Sequence, residues 1–291
     1  MNSLNPVSTR LAVASLLFSA SLWGVIWYPL RLLDEAGLSA VWSSLVIYLA
    51  AAVLVIPFLL KQGAFERSIR KDLLLLAVAA GITNVAFVIA LIEGEVMRVM
   101  LLFYLSPLWT VLLGRWLLGE QLSWQAIVMF CLAMCGSIVM LWDSTIGWPW
   151  PHSLADWLAL TASIAFSINN IQARKLAKVN MIVKTAVVWW GVVITSIIVL
   201  IGQQSPFPDV DWTVWAGAWL LGWLGIVMMT VAVLYGVARM PVYRSSVIML
   251  FELIVAALAA WWLTDEVMTL QEWLGGGLIL VAAYGVAKSE A

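Results

Sequence analysis

The chain is a succession of apolar runs, each about 20 residues long, broken by short stretches of charge, proline and glycine. The runs cover approximately 10–33, 40–60, 72–92, 96–117 and 123–142, then 154–176, 182–202, 212–238, 242–264 and 270–288. A helix rising 1.5 Å per residue needs about 20 apolar residues to cross a hydrocarbon layer roughly 30 Å thick. Membrane barrel strands alternate apolar and polar positions over about 10 residues, and these runs do not alternate. The pattern therefore predicts an all-α integral membrane protein with ten transmembrane helices. Composition agrees: 64% of residues are hydrophobic and 11% are charged, against about 25% charged in a soluble domain. So few charges cannot cover a water-facing surface. Ten spans nearly exhaust the 291 residues, which leaves no length for a sizeable soluble domain. The first run, Leu11 to Leu33, exceeds the roughly 7–15 residues of a cleaved signal core and reads as the first span.

Charge placement sets an orientation. With the first helix starting in the cytoplasm, the cytoplasmic set is Arg10, Lys61, Arg67, Arg70, Lys71, Arg115, Arg174, Lys175, Lys178, Lys184, Arg239, Arg244 and Lys288, which is 13 of the 15 basic residues. Arg31 and Arg98 fall outside. The acidic stretches Asp34-Glu35, Glu93 to Glu95, Asp143, Asp209 to Asp211 and Asp265-Glu266 all fall on the other side. The positive-inside rule thus predicts both ends of the chain in the cytoplasm.

The two halves resemble each other. At a constant offset of 146, Trp116 pairs with Trp262, Leu117 with Leu263, Glu120 with Glu266, Gln125 with Gln271, Arg98 with Arg244 and Ala86 with Ala232. At offset 142, Ala20-Ser21 pairs with Ala162-Ser163. The polar interruption Asp143 to Ser153 divides them, so the expected units are residues 1–147 and 148–291. Five spans is an odd number, so the halves insert with opposite orientation. Inverted repeats of this kind characterise alternating-access transporters, with a central cavity near the midplane between the repeats.

These features resemble the drug/metabolite transporter superfamily, in its EamA-type branch. The first copy of the branch's fourth-helix motif reads Ser106-Pro107 through Leu118-Gly119-Glu120. The second reads Glu252-Leu253 through Thr264-Asp265-Glu266 and lacks the proline and the glycine. Within the branch, Ser21-Leu22-Trp23, Tyr104-Leu105-Ser106-Pro107, Phe166 and Asn169 are similar to the YddG-type exporters of aromatic and other amino acids. The resemblance implies an inner-membrane exporter whose cavity is lined by helices one, three, four, six, eight and nine, with five and ten peripheral.

Polar groups at membrane depth are costly, so they mark candidate sites. Glu252 lies mid-span in the ninth run without a Lys or Arg at its depth in that helix. It either contacts a substrate amine, couples transport to protons, or is a protonated packing group. Asn84 in the third run and Asn169 in the sixth offer donors and acceptors for an amino acid's charged ends. Asn170 lies about 100° from Asn169 around the helix, so Asn169, with Phe166 at i−3, is the expected cavity residue. Trp23, Trp27 and Tyr104 supply flat amphipathic walls. Met249 adds an adaptable one. Pro107 is the expected gating hinge. Trp148, Trp150, Trp212, Trp215, Trp261 and Trp273 fit an outer aromatic belt. Glu120 and Glu266 fit the first turn of the helix that follows each. Gly275-Gly276-Gly277 permits a close helix contact, within the chain or in a homodimer.

Other classes find little support in the residues. The net charge of −1 gives no sign of nucleic-acid binding. Cys131 and Cys135 share a helix face but have no His or acid beside them, so neither a metal nor any other cofactor is expected. His152 is the single histidine and lies in a loop. Neither HExxH, GxSxG nor a GxxxxGK[ST] loop occurs, so an intramembrane enzyme and direct ATP coupling are both disfavoured. The expectation is a secondary transporter exporting amino acids and related metabolites, with efflux of hydrophobic cations or movement of a sugar-like solute as the alternative.

Overall fold

The computed structural model describes residues 6–59, 67–94, 96–142, 150–263 and 268–288. Among these there is no strand. The helices are α1 (Pro6–Glu35), α2 (Ala40–Leu59), α3 (Arg67–Glu93), α4a (Val96–Phe103), α4b (Ser106–Leu118), α5 (Trp124–Leu141), α6 (Leu154–Lys175), α7 (Met181–Gly202), α8 (Trp212–Val237), α9a (Val242–Met249), α9b (Phe251–Leu263) and α10 (Leu270–Lys288). Taking α4 and α9 as one span each gives the ten expected. Among the described residues nine spans are long and apolar enough to cross a membrane. The tenth, α6, is diluted by Asp156, Ser163, Ser167, Asn170 and Gln172, all of which it turns inward and buries.

Local chemistry explains several boundaries. Ser123 accepts from the Ala126 N–H at the start of α5. Ser153 and Asp156 form a reciprocal capping box at the start of α6. Asn180 accepts from the Ile182 N–H to open α7. α8 carries a wider, π-type turn over Leu221–Ile226.

The fourth span departs from expectation. Its break falls at Tyr104-Leu105, so Pro107 sits in the first turn of α4b rather than inside a bent helix. There its missing N–H costs no helical hydrogen bond. The ninth span breaks at Leu250 although it has no proline. Leu250 is the offset-146 match of Tyr104, so both repeats interrupt the same helix at the same place.

Packing interleaves the repeats. α3 packs on α6 and α7, α1 on α8 and α9, α2 on α7 and α8, α4 on α6 and α9, and α5 on α10. Each contact joins opposite halves, and each has its inverted counterpart: α3 with α6 mirrors α8 with α1. The expected boundary at 147/148 lies outside the described residues, as do Lys61, Glu95, Asp143, Trp148, Asp265 and Glu266.

The outer surface of the bundle is apolar. Trp116 and Trp262, the repeat-related pair, are 79% and 83% exposed, and Leu74, Ile198, Ile201 and Leu274 are exposed with them. Trp150, Trp212, Trp261 and Trp273 are also exposed, whereas Trp215 is tucked against Trp42 and stacks on Phe207. Many serines and threonines within the spans, among them Ser19, Thr110, Ser163, Ser167, Thr185 and Ser196, are buried. This inversion of a soluble protein's pattern suits lipid as the solvent. Small residues allow the closest approaches: a Cβ on Gly136 would lie 2.7 Å from the Gly275 carbonyl oxygen. The glycine run therefore packs α10 on α5 within the chain through Gly275, while Gly277 faces open space.

Candidate functional site

A central cavity of about 160 Å³ lies where the two broken helices face each other. At roughly 15 Å³ per water this is space on the order of ten water molecules. Trp23, Asn84, Tyr104, Pro107, Phe166, Asn169, Met249 and Glu252 all line it. Trp27 does not. It lies one turn, about 6 Å, beyond Trp23 and packs edge-on against its neighbour Tyr28 at 5.6 Å.

The lining also contains residues that the sequence did not single out. Tyr48 of α2 and Val188 and Val192 of α7 reach the cavity, so these two helices join the six implied by the resemblance. α5 and α10 contribute nothing, as implied. Asn170 lines the cavity together with Asn169. The 100° between them does not keep Asn170 out of the lining, which also holds Thr230 and Ser245. The signal for Tyr48 was a hydroxyl in the middle of an otherwise apolar run; it was hidden by the aromatic ring that carries it.

Glu252 occupies the first turn of α9b, immediately after the break. Tyr104, at the break of α4, donates to its Oε1 at 2.8 Å. One hydrogen bond thus joins the two interruptions across the repeat axis. An ionised carboxylate at the centre of a span costs roughly 2.5–3.5 kcal/mol. A hydrogen bond to a charged group returns roughly 1.5–3 kcal/mol, and the N-terminal end of a helix about 0.3–1 kcal/mol more. The cost and the compensation are of the same order. Its Oε2 has no hydrogen-bond partner among the described residues. The Oδ1 atoms of Asn84 and Asn169 are likewise buried without a partner. Among the described residues the lining holds one carboxylate and no Lys, Arg or His.

Aromatic rings close one side of this space. Phe103, the last residue of α4a, lies 4.4 Å from Phe87 and 5.7 Å from Phe166, centroid to centroid. The break itself is held by α6, where Ser167 donates to the Ser106 carbonyl at 2.8 Å.

Polar clusters fasten each end of the bundle. On the side of the α5–α6 connection, the Arg98 Nε donates to both carboxylate oxygens of Asp156 at 2.9 and 3.0 Å, with both side chains almost fully buried. The backbone N–H groups of His152 and Ser153 complete the Asp156 set. On the opposite side Glu120 accepts from the Val242 N–H at 3.0 Å and approaches Arg174. The expectation for Glu120 is corrected here: it caps α9a of the other repeat, because the interleaved packing brings that helix start closer than its own successor. On the same side Lys175 donates to Asp72 at 2.7 Å, which joins the α2–α3 and α6–α7 ends.

The EamA-like transporter family model matches residues 10–142 and 153–288. The chain belongs to the EamA-like transporter family. A protein of Archaeoglobus fulgidus described as an uncharacterized transporter is 26% identical over 278 residues, which is 93% of this chain and 94% of that protein. A crystal structure superposes with a TM-score of 0.74 at 17% identity, covering 96% of this chain and 95% of the other. The EamA assignment makes the protein a multi-pass membrane transporter. It also makes the two matched halves the two repeats of the family's fold.

Proposed function

We propose that this EamA-family protein is a secondary transporter that exports amino acids with apolar or aromatic side chains, together with related amines, across the plasma membrane by alternating access. In this reading both ends of the chain lie in the cytoplasm, where 13 of the 15 basic residues would gather. The amino-acid range follows the resemblance to the YddG-type exporters, and Trp23, Asn84, Tyr104, Phe166, Asn169, Met249 and Glu252 are the substrate contacts. Pro107, buried at the start of α4b, is the pivot about which that half-helix would move.

The observation that carries the proposal is the cavity at the two helix breaks, lined by Trp23, Phe166 and Tyr104 together with Asn84, Asn169 and Glu252. Aromatic walls suit an apolar side chain. The acceptor oxygens suit an ammonium group, which brings three donors. A second reading, efflux of hydrophobic amines without a carboxylate, is favoured by the absence of a basic residue from the lining. Counterflow in proteoliposomes separates the two. With radiolabelled phenylalanine and with phenylethylamine as probes, exchange of phenylalanine supports the amino-acid reading. Exchange of phenylethylamine alone supports the second. Exchange of neither, across a panel of the common amino acids, would sink both.

A further inference from the structure

Among the described residues, Glu252 is the one acidic group lining the cavity, and no Lys, Arg or His lines it with Glu252. We infer that Glu252 is one seat shared by a proton and the ammonium group of the cargo, so that cargo leaves only in exchange for a proton. The inference rests on reading the cavity as the transport site.

The surroundings of Glu252 define what can neutralise it. From α4, Tyr104 touches it and supplies one donor to Oε1. From α1, Gly24 abuts the Glu252 carbonyl. The charges of α1, Arg10, Arg31, Asp34 and Glu35, sit near its ends, with Tyr28 a turn beyond Gly24. From α10, Gly276 lies against Ile254. The charges of α10, Glu272 and Lys288, are terminal, and Tyr284 is exposed on the outer surface. In its own span, α9a carries Tyr243 and Arg244, with Arg244 eight residues away, or about 12 Å along the axis. Its guanidinium donates to the Ala287 carbonyl near the end of α10. Among the described residues nothing fixed therefore meets Oε2, which leaves that oxygen to a mobile cation.

Two mobile cations fit, and they exclude each other. A proton on Oε2 leaves the carboxyl neutral, with Tyr104 still hydrogen-bonded to Oε1. An ammonium group needs the carboxylate, with the amide side chains Asn84 and Asn169 lining the same cavity. Binding of cargo releases the proton to the side from which cargo came, and loss of cargo on the far side lets a proton return. The cargo's own ammonium stays protonated throughout. Each cycle moves one cargo molecule against one proton. It is electroneutral for a monocationic amine and carries one positive charge inward per zwitterionic amino acid exported.

Three measurements on purified full-length protein test this. First, cargo binding to the protein in weakly buffered detergent solution, followed with a pH dye and with phenylalanine or phenylethylamine as probe, should release one proton per molecule bound. Release near zero overturns the inference without any variant. Second, an imposed pH gradient across proteoliposomes should drive accumulation of whichever probe undergoes counterflow. A Na+ gradient should not, and accumulation driven by Na+ overturns the inference. Third, Glu252→Gln should reduce the pH-driven accumulation at least tenfold, whereas Glu252→Asp should restore part of it. Wild-type counterflow that ignores the pH gradient overturns the exchange and leaves the transport function standing. A wild type without counterflow of any probe overturns the function and the exchange together.

Discussion

Asn169 lines the cavity, and its buried carbonyl oxygen has no donor among the described residues. If that oxygen receives the cargo's ammonium, Asn169→Ala removes one hydrogen bond worth roughly 1–2 kcal/mol. The expected result is a rise in KM of about 5- to 30-fold for phenylalanine counterflow with little change in maximal rate, because the loss falls equally on bound substrate and transition state. Trp27→Ala, on a residue outside the cavity, should leave KM within about twofold. Arg98 makes a different prediction, about stability. Arg98→Ala leaves Asp156 buried without its counter-charge, which costs on the order of 3–5 kcal/mol. A lower thermal midpoint in detergent checks it, and Arg98→Met with Asp156→Leu should recover much of the loss. Sequence reasoning found Glu252, Asn84 and Asn169 because a polar group inside an apolar run stands out. It missed Asp156 because that residue sits at a helix start, where an acid is common and its pairing with Arg98 across 58 residues is invisible.

The broken helices belong to the scale of elements. α4 shows its interruption through Pro107, but α9 has no equivalent residue and breaks at Leu250 all the same. What α9b does have is close contact with α1. A Cβ at Gly24 would lie 2.7 Å from the Glu252 carbonyl oxygen and 2.8 Å from the Val255 Cβ. Gly24→Val should therefore push α1 off the second half-helix and lower transport at least tenfold in protein that still purifies as a folded species. Glu120 supports the other half-helix by accepting from the Val242 N–H. Glu120→Ala should cost roughly 0.5–2 kcal/mol, as loss of an N-terminal cap does, and Glu120→Gln less, both read as a fall in thermal midpoint. Neither contact was legible beforehand. The run boundaries give the length and depth of each helix, but which helix start lies beside Glu120 depends on how the repeats interlock.

For the whole molecule, the ion pair between Asp72 and Lys175 puts the Arg70 and Lys178 segments at the same end of the bundle. Single cysteines placed at 70 and at 178 should therefore react with a membrane-impermeant maleimide from the same face of the bilayer, and in the proposed orientation that face is the cytoplasmic one. Labelling from opposite faces would break the inverted arrangement. The sequence by itself determined the number of spans, their approximate limits, the repeat and its inversion. Hydropathy is a property of each segment taken alone, and an odd number of crossings leaves a repeat no choice of direction. Only the tertiary structure decided that the repeats interleave, that α2 and α7 reach the cavity, that Asn169 and Asn170 share it, and that Tyr104 meets Glu252 where both spans break. Those facts depend on the rotation and mutual packing of helices that are apolar on nearly every side, and an apolar run carries no mark of which side faces lipid and which faces the protein.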